Sequence, residues 1–427
     1  MARRAAGQLA IGCLLLVGGC GTPATGPSPT PAPSTTGATS SGGVTTPPTS
    51  SAVPSSAAPT STPTTTAPSS AASGEPSPPV GSSSTATPPS SARPVPAELT
   101  AADLVTGLST PWGIDFLPDG TALVTSRDDA TITAVRENGD TTDAGRVDGV
   151  SPGGEAGLLG LAVSPGYPTD HTVFVYYTAD NDNRIAALTL TDGSVSAQHD
   201  IVTGLPRAAN HDGGRIIFGP DKLLYVGVGD AGNPSGAQDL SYLGGKILRL
   251  NPDGTGADGN PFPQAPLVYS YGHRNVQGLA FDSAGRLWAA EFGQNTWDEL
   301  NLIRAGGNYG WPNTEGLTND PKYVSPQRVW ATSEASPSGI AIWRGSVWMA
   351  GLRGQTLWQI PITGTASTTD AAAPNQTGEP IAHFAQQYGR LRTVVVAPDD
   401  RLWFTTSNTD GRGSPRPGDD RILRIPG

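Results

Sequence analysis

From about residue 98 onward, short apolar runs alternate with Pro/Asp/Gly turns, and one pattern recurs six times. A small residue precedes a short apolar strand, a tight turn follows, then a second strand, then polar residues. The copies are GIDFLPDG with TALVTSRD from Gly113, GLAVSP with TVFVYYT from Gly160, RIIFGPDKLLYVGVGD from Arg215, GLAFDSAGRLWAAEFG from Gly278, GIAIWRGSVWMAGLRG from Gly339 and TVVVAPDDRLWFTTSN from Thr393. After each comes a further strand-like piece, in order TITAVRENG, RIAALTLTDG, GKILRLNPDG, ELNLIRAGG, TLWQIPITG and RILRIPG. Starts spaced by 47 to 63 residues and Gly/Asp-rich turns are what four-stranded propeller blades require. The chain is therefore predicted to be all-β, a six-bladed β-propeller at 98–427 around a central channel. A β-sandwich with coincidental Asp-Gly hairpins does not account for six copies in phase. Loops from one face should converge over the channel, so the chemistry is expected in the irregular stretches between blades.

The N-terminal segment reads differently. Arg3 and Arg4 precede an apolar run from Leu9 to Val17, too short to span a bilayer and suited to a signal peptide. Val17-Gly18-Gly19-Cys20 resembles a bacterial lipobox, so 1–19 is expected to be removed and Cys20 acylated. Cys13 would go with the leader, leaving one cysteine and no intramolecular disulfide. Residues 21–97 carry only Glu75 and Arg93 as charges amid Pro, Ser, Thr, Ala and Gly. Such a segment cannot offset its chain entropy by apolar burial, and 20–97 is read as a lipid-anchored, disordered linker. The protein is expected to be exported and held on the outer face of the cell membrane through Cys20 alone.

Charge narrows the partners. The formal net charge of −11 becomes −13 once Arg3 and Arg4 are lost, which argues against nucleic acid or an anionic lipid surface as the main partner.

Four loop motifs carry a more specific signal: GEAGLLG from Gly154, NHDGGR from Asn210, GHRNVQGL from Gly272, and EFGQNTWDE from Glu291 running into GGNYGWP at Gly306. In order and on the expected blades, they resemble the soluble glucose/sorbosone dehydrogenase family across residues 100–427. That family is a six-bladed propeller that binds pyrroloquinoline quinone (PQQ) with Ca²⁺ over its channel. The resemblance implies an oxidoreductase that passes hydride from a sugar, or a related alcohol or hemiacetal, to the quinone, with His211 taking the hydroxyl proton. An imidazole titrating near neutrality suits that task. Arg274 is grouped with His211 as catalytic and, with Asn275 and Glu155, as cofactor-binding. Arg390 and Arg392 are expected over the cofactor carboxylates, since guanidinium forks pair with carboxylates bidentately, and Arg353 stands where the family often has lysine. Backbone carbonyls of Gly293 and Gln294 match the ligands of the cofactor-bound Ca²⁺. Asp298, Glu299 and the carbonyl near Tyr309 match a second, structural ion. Asn210 and Trp330 are placed at the substrate, Trp330 as a stacking residue.

Three positions depart from the family pattern: Glu155 for glutamine, Phe292 for a polar residue, and Asn210 for an aspartate that would polarise the histidine. The chain has no Cys-x-x-Cys-His haem attachment, so an external electron acceptor is implied. Two other functions stay open at this level: a non-catalytic ligand-binding propeller, and a Ca²⁺-dependent lactonase-like hydrolase with a carboxylate-held metal.

Overall fold

The computed structural model describes residues 95–96, 98–365 and 376–426. The expected leader, Cys20 and nearly all of the linker lie outside them. Among the described residues the only helical pieces are one turn at Tyr167–Asp170 and a short 3-10 segment at Pro234–Gln238.

Strands numbered in chain order form six four-stranded antiparallel sheets. Their innermost strands are β2 (Pro111–Phe116), β6 (Leu158–Val163), β10 (Ile216–Phe218), β14 (Val276–Phe281), β18 (Pro337–Trp343) and β22 (Leu391–Val396). Each repeated copy is thus an inner hairpin, and the strand-like piece after it is the third strand. Asp119, Asp221, Asp282 and Asp399 in the hairpin turns each accept the amide two residues on, at 2.9 to 3.2 Å, which fixes the turn locally. The small residue opening the copies has a packing reason. A Cβ on Gly160 would collide with the Gly214 carbonyl just before the next inner strand, and one on Gly278 with the Ser338 carbonyl. Adjacent blades approach through their backbones at these points, and only glycine permits it.

The core lies between blades. Leu159, Tyr176, Ile216 and Val226 share one buried cluster between the second and third sheets, and Trp288, Leu300, Ile340 and Met349 another between the fourth and fifth. The ring closes through the two ends of the propeller segment. The sixth copy supplies β22, β23 (Leu402–Thr406) and β24 (Ile422–Ile425), and the fourth strand of that sheet is β1 (Ala102–Val105), pairing antiparallel with β24. Thr393 then joins the last blade to the first, donating to the Trp112 carbonyl and accepting from Arg215 at 3.1 Å.

Candidate active site

The loops preceding the inner strands surround one mouth of the channel. There a cavity of about 260 Å³ is lined by Arg127, Arg353, Arg390, Arg392 and Arg412, by Glu155 and Asp410, and by Gln277, Phe292, Ser336 and Leu352. Five guanidiniums face two carboxylates. Asp128 at the edge takes up a little more of the charge through Arg127, at 2.6 Å, and a clear cationic excess remains.

The acids organise this surface. Asp410, in the loop between β23 and β24, accepts from Arg390 at 3.0 Å and Arg392 at 3.4 Å. Burial alone would raise its carboxyl, but the two guanidiniums hold it below the usual aspartate range. Arg392 is itself drawn down to about 10 by burial and stays charged at neutral pH. Glu155 receives the His211 amide at 2.9 Å, the Asn275 side chain at 3.3 Å and Arg412 at 2.9 Å. Burial works against its ionisation, yet these partners outweigh it and keep the carboxyl below its ordinary value. The negative charge introduced by Glu155 is therefore taken up by Arg412.

His211 sits beside this cavity rather than in its lining. Its backbone is in the left-handed region, at φ +64°, and its Nδ1 lies 2.8 Å from Asp230. Asp230 also accepts from the Trp311 indole at 2.8 Å and from the Gly232 amide at 2.9 Å. Burial alone would raise the Asp230 carboxyl, but bonding to His211 and these donors keeps it below its ordinary value. An ionised carboxylate only accepts hydrogen bonds, so Nδ1 carries a proton, and in the neutral ring Nε2 is the nitrogen left with a free lone pair. Among the described residues Nε2 has no partner. The aspartate missing at position 210 is thus replaced from another loop: Asn210 is exposed, and Asp230, 19 residues downstream of His211, orients the ring.

Arg274 lies over Trp311, 5.5 Å from the ring centre, and donates to the Phe292 carbonyl at 3.2 Å. Its Nε is buried without a partner, and burial lowers its pKa from the usual arginine value. Asn275 is almost fully buried and accepts from the Gly213 amide at 3.0 Å, bracing the His211 loop. Arg353 is exposed at the cavity edge.

Trp330 is elsewhere. It lies in β17 (Arg328–Ala331), the outermost strand of the fourth sheet, 5 % exposed and packed near Trp358. It is a core side chain, and Trp311 is the tryptophan beside His211.

The expected acidic ion site is also rearranged. Asp298 and Glu299 are consecutive in β16 (Trp297–Ile303), so their side chains leave opposite faces of the sheet. Asp298 accepts the amides of Gly293 at 2.9 Å and Ser336 at 2.6 Å. Glu299 faces Asn301 at 3.0 Å and the Gly316 amide at 2.6 Å. Asn301 donates also to Glu291, at 2.9 Å, while its own Oδ1 is buried without a partner. Burial and the neighbouring Glu291 push the Glu299 carboxyl well up. Tyr309 is buried, stacked on His273, its hydroxyl donating to the Leu302 carbonyl. Among the described residues no three His, Cys, Asp or Glu side chains converge to hold a metal. Gly293 could contribute only its backbone oxygen, and Gln294 its backbone and side-chain carbonyl oxygens.

The residues that sequence reasoning missed are Arg127, Asp230, Asp410 and Arg412. Asp410 and Arg412 stand in a Gly/Pro/Arg-rich stretch with no strand pattern, and Asp230 follows the second strand of a repeat copy. Only the last had a visible signal, as the lone acid closing YVGVGD.

A closed six-bladed propeller carrying a guanidinium-rich cavity next to a carboxylate-oriented histidine defines a class of propeller oxidoreductases. Residues 108–423 match the model of the family described as Glucose / Sorbosone dehydrogenase, and this chain belongs to that family. It is similar to the PQQ-bound aldose sugar dehydrogenase of Streptomyces coelicolor, at 52 % identity and a TM-score of 0.72, covering 77 % of this chain and 98 % of that one. It is also similar to the aldose sugar dehydrogenase YliI of Escherichia coli, 26 % identical over 74 % of this chain and 92 % of the relative. Quinoprotein glucose dehydrogenase B of Acinetobacter calcoaceticus is 32 % identical over 52 % of this chain and 54 % of its own length.

Proposed function

We propose that the protein oxidises an aldose at its anomeric hydroxyl using PQQ, with His211 as general base. The observation that carries this reading is the His211–Asp230–Trp311 chain: a histidine with a protonated Nδ1, an open Nε2 and a fixed carboxylate behind it, placed beside an excess of guanidiniums. The residues fit the cofactor. Three carboxylates need fixed cations, and Arg390, Arg392 and Arg412 offer them, while the buried, unpartnered Arg274 Nε awaits an acceptor. When bound, the quinone supplies the two-electron acceptor that takes hydride from the sugar. His211 Nε2 receives the hydroxyl proton, and Asp230 stabilises the resulting imidazolium. Arg274, held over Trp311, positions the reacting groups, and Phe292 and Leu352 keep water from the pocket wall.

Calcium belongs to the same reading. The carbonyls of Gly293 and Gln294 would hold one ion beside the cofactor. Glu299, rather than Asp298, would approach a second together with the orphaned Asn301 Oδ1. An ion that binds only the folded state stabilises it by mass action, so chelation should lower the melting temperature; unchanged melting after verified metal removal speaks against both ions. Electrons leave to an external acceptor. The lipid anchor at Cys20 is proposed from sequence, and intact-mass analysis of the mature N-terminus tests it.

The enzyme reading is tested by two variants measured on the same preparations. His211→Ala should keep quinone affinity and lose turnover by about 10²–10⁴-fold. Arg274→Ala should instead weaken quinone binding, with activity partly restored by excess cofactor. A wild-type protein that binds no PQQ in the presence of Ca²⁺ refutes the proposal.

A further inference from the structure

The opposite mouth of the channel is built from different chemistry. Residues of all six inner strands surround a cavity of about 440 Å³, within the roughly 300–1,000 Å³ of small-molecule sites. Its lining side chains are mostly apolar, with Phe116, Phe218 and Phe281 among aliphatic ones, and polar groups, largely of the backbone, share the lining surface with them. Two charged residues line it, Asp115 and Arg215. Asp115 is already engaged, accepting the Phe116 and Val163 amides at 2.8 Å each. Arg215 is not fully satisfied. Only 6 % exposed, it donates through Nε to the Gln277 carbonyl at 2.8 Å and through Nη2 to Thr393 at 3.1 Å, and packs on Trp112 at 4.3 Å. Nη1 has no partner among the described residues, and no described carboxylate pairs with the guanidinium. Arg392 adds a repulsive like charge, and burial together with it pulls Arg215 down to about 9, still cationic at neutral pH.

A buried cation without a counter-charge is expensive to maintain. Here it lies on a cavity of mostly apolar side chains with one donor edge unused. We propose that this second mouth binds a small amphiphilic carboxylate, its apolar body against the phenylalanine and aliphatic wall and its carboxylate on Nη1 of Arg215. A multiply charged anion does not fit, because one guanidinium would be its only cation and the wall would desolvate the remaining charge. A neutral apolar molecule would fill the wall but leave Arg215 unpaired. The site is separate from the cofactor cavity, whose lining does not include Arg215.

Octanoate is the probe. Titration calorimetry on the full chain should find one site per molecule. Octanol should bind at least about tenfold more weakly, and so should octanoate to Arg215→Gln, the usual effect of losing a hydrogen bond to a charged group. Arg412→Gln, which alters the cofactor cavity, should leave octanoate affinity within about twofold. The proposal is overturned if octanoate does not bind, if folded Arg215→Gln binds it as well as the wild type does, or if Arg412→Gln is the variant that loses it. Should Arg215→Gln fail to fold, Val395→Glu supplies the decision: it places a carboxylate on the lining and must weaken octanoate, and unchanged affinity overturns the site.

Discussion

Replacing Asp230 by asparagine changes one atom and forces a conflict that the geometry defines. One carboxylate oxygen accepts from His211 Nδ1 at 2.8 Å and the Gly232 amide at 2.9 Å; the other accepts from Trp311 at 2.8 Å. An asparagine with its oxygen toward His211 points its NH₂ at the indole N–H and leaves that buried donor unpaired, at a cost of about 1–3 kcal/mol. Flipped, it donates to Nδ1, drives the ring proton to Nε2 and removes the base. Neither orientation supplies the negative charge that stabilises the imidazolium. The expected loss in kcat is about 10²–10⁴-fold, or about 2.7–5.4 kcal/mol of activation free energy. Turnover should be measured at saturating aldose and quinone with an artificial dye acceptor, alongside quinone affinity by calorimetry and the melting temperature. A folded Asp230→Asn protein with kcat within about threefold of wild type, or with a loss confined to quinone affinity, refutes the assignment of Asp230.

Arg412→Gln leaves Glu155 without its guanidinium and should weaken quinone binding by about tenfold; adding Glu155→Gln should restore it, and calorimetry on both variants checks this. Thr393→Val removes the hydroxyl that joins the first and last blades, leaving the Trp112 carbonyl and an Arg215 donor unpaired, and should cost about 1–3 kcal/mol in denaturant unfolding. Asp115 is raised by burial from 3.8 to about 6. A carboxyl raised in the folded state favours folding while protonated and loses that contribution as pH rises through 6. The melting temperature of wild type relative to Asp115→Asn should therefore fall as pH rises from about 4 to about 6 and level off above that, and a constant difference contradicts the burial argument.

The six copies were legible because most blades repeat the same local demands: an aspartate fixes the turn in four of them, and a glycine opens four copies where neighbouring backbones meet. Ring closure was not. Ala102–Val105 looks like any short strand, and nothing local marks its partner near the other end of the chain. The loop motifs fall on one face, where His211, Arg274, Asn275, Arg390 and Arg392 lie near Glu155. The carboxylate behind His211 escaped because contact, not adjacency, joins it to the ring. Trp330 misled for the opposite reason, since an aromatic in an outer strand reads alike whether it faces a substrate or a neighbouring blade. Asp298 and Glu299 could have been separated from sequence alone: extending the strand pattern of ELNLIRAGG back by one residue puts them on opposite faces.

The pairing of Ala102 with Arg424 also orders events during synthesis. Closing a loop of roughly 320 residues costs about 5 kcal/mol of chain entropy, and the seam cannot form until β24 has left the ribosome. A product that terminates before Ile422 leaves β1 unpaired and the final sheet with open edges, which invite association with other chains. Only a polypeptide translated through β24 can seal the ring, so the fold itself separates chains that carry this strand from those truncated before it.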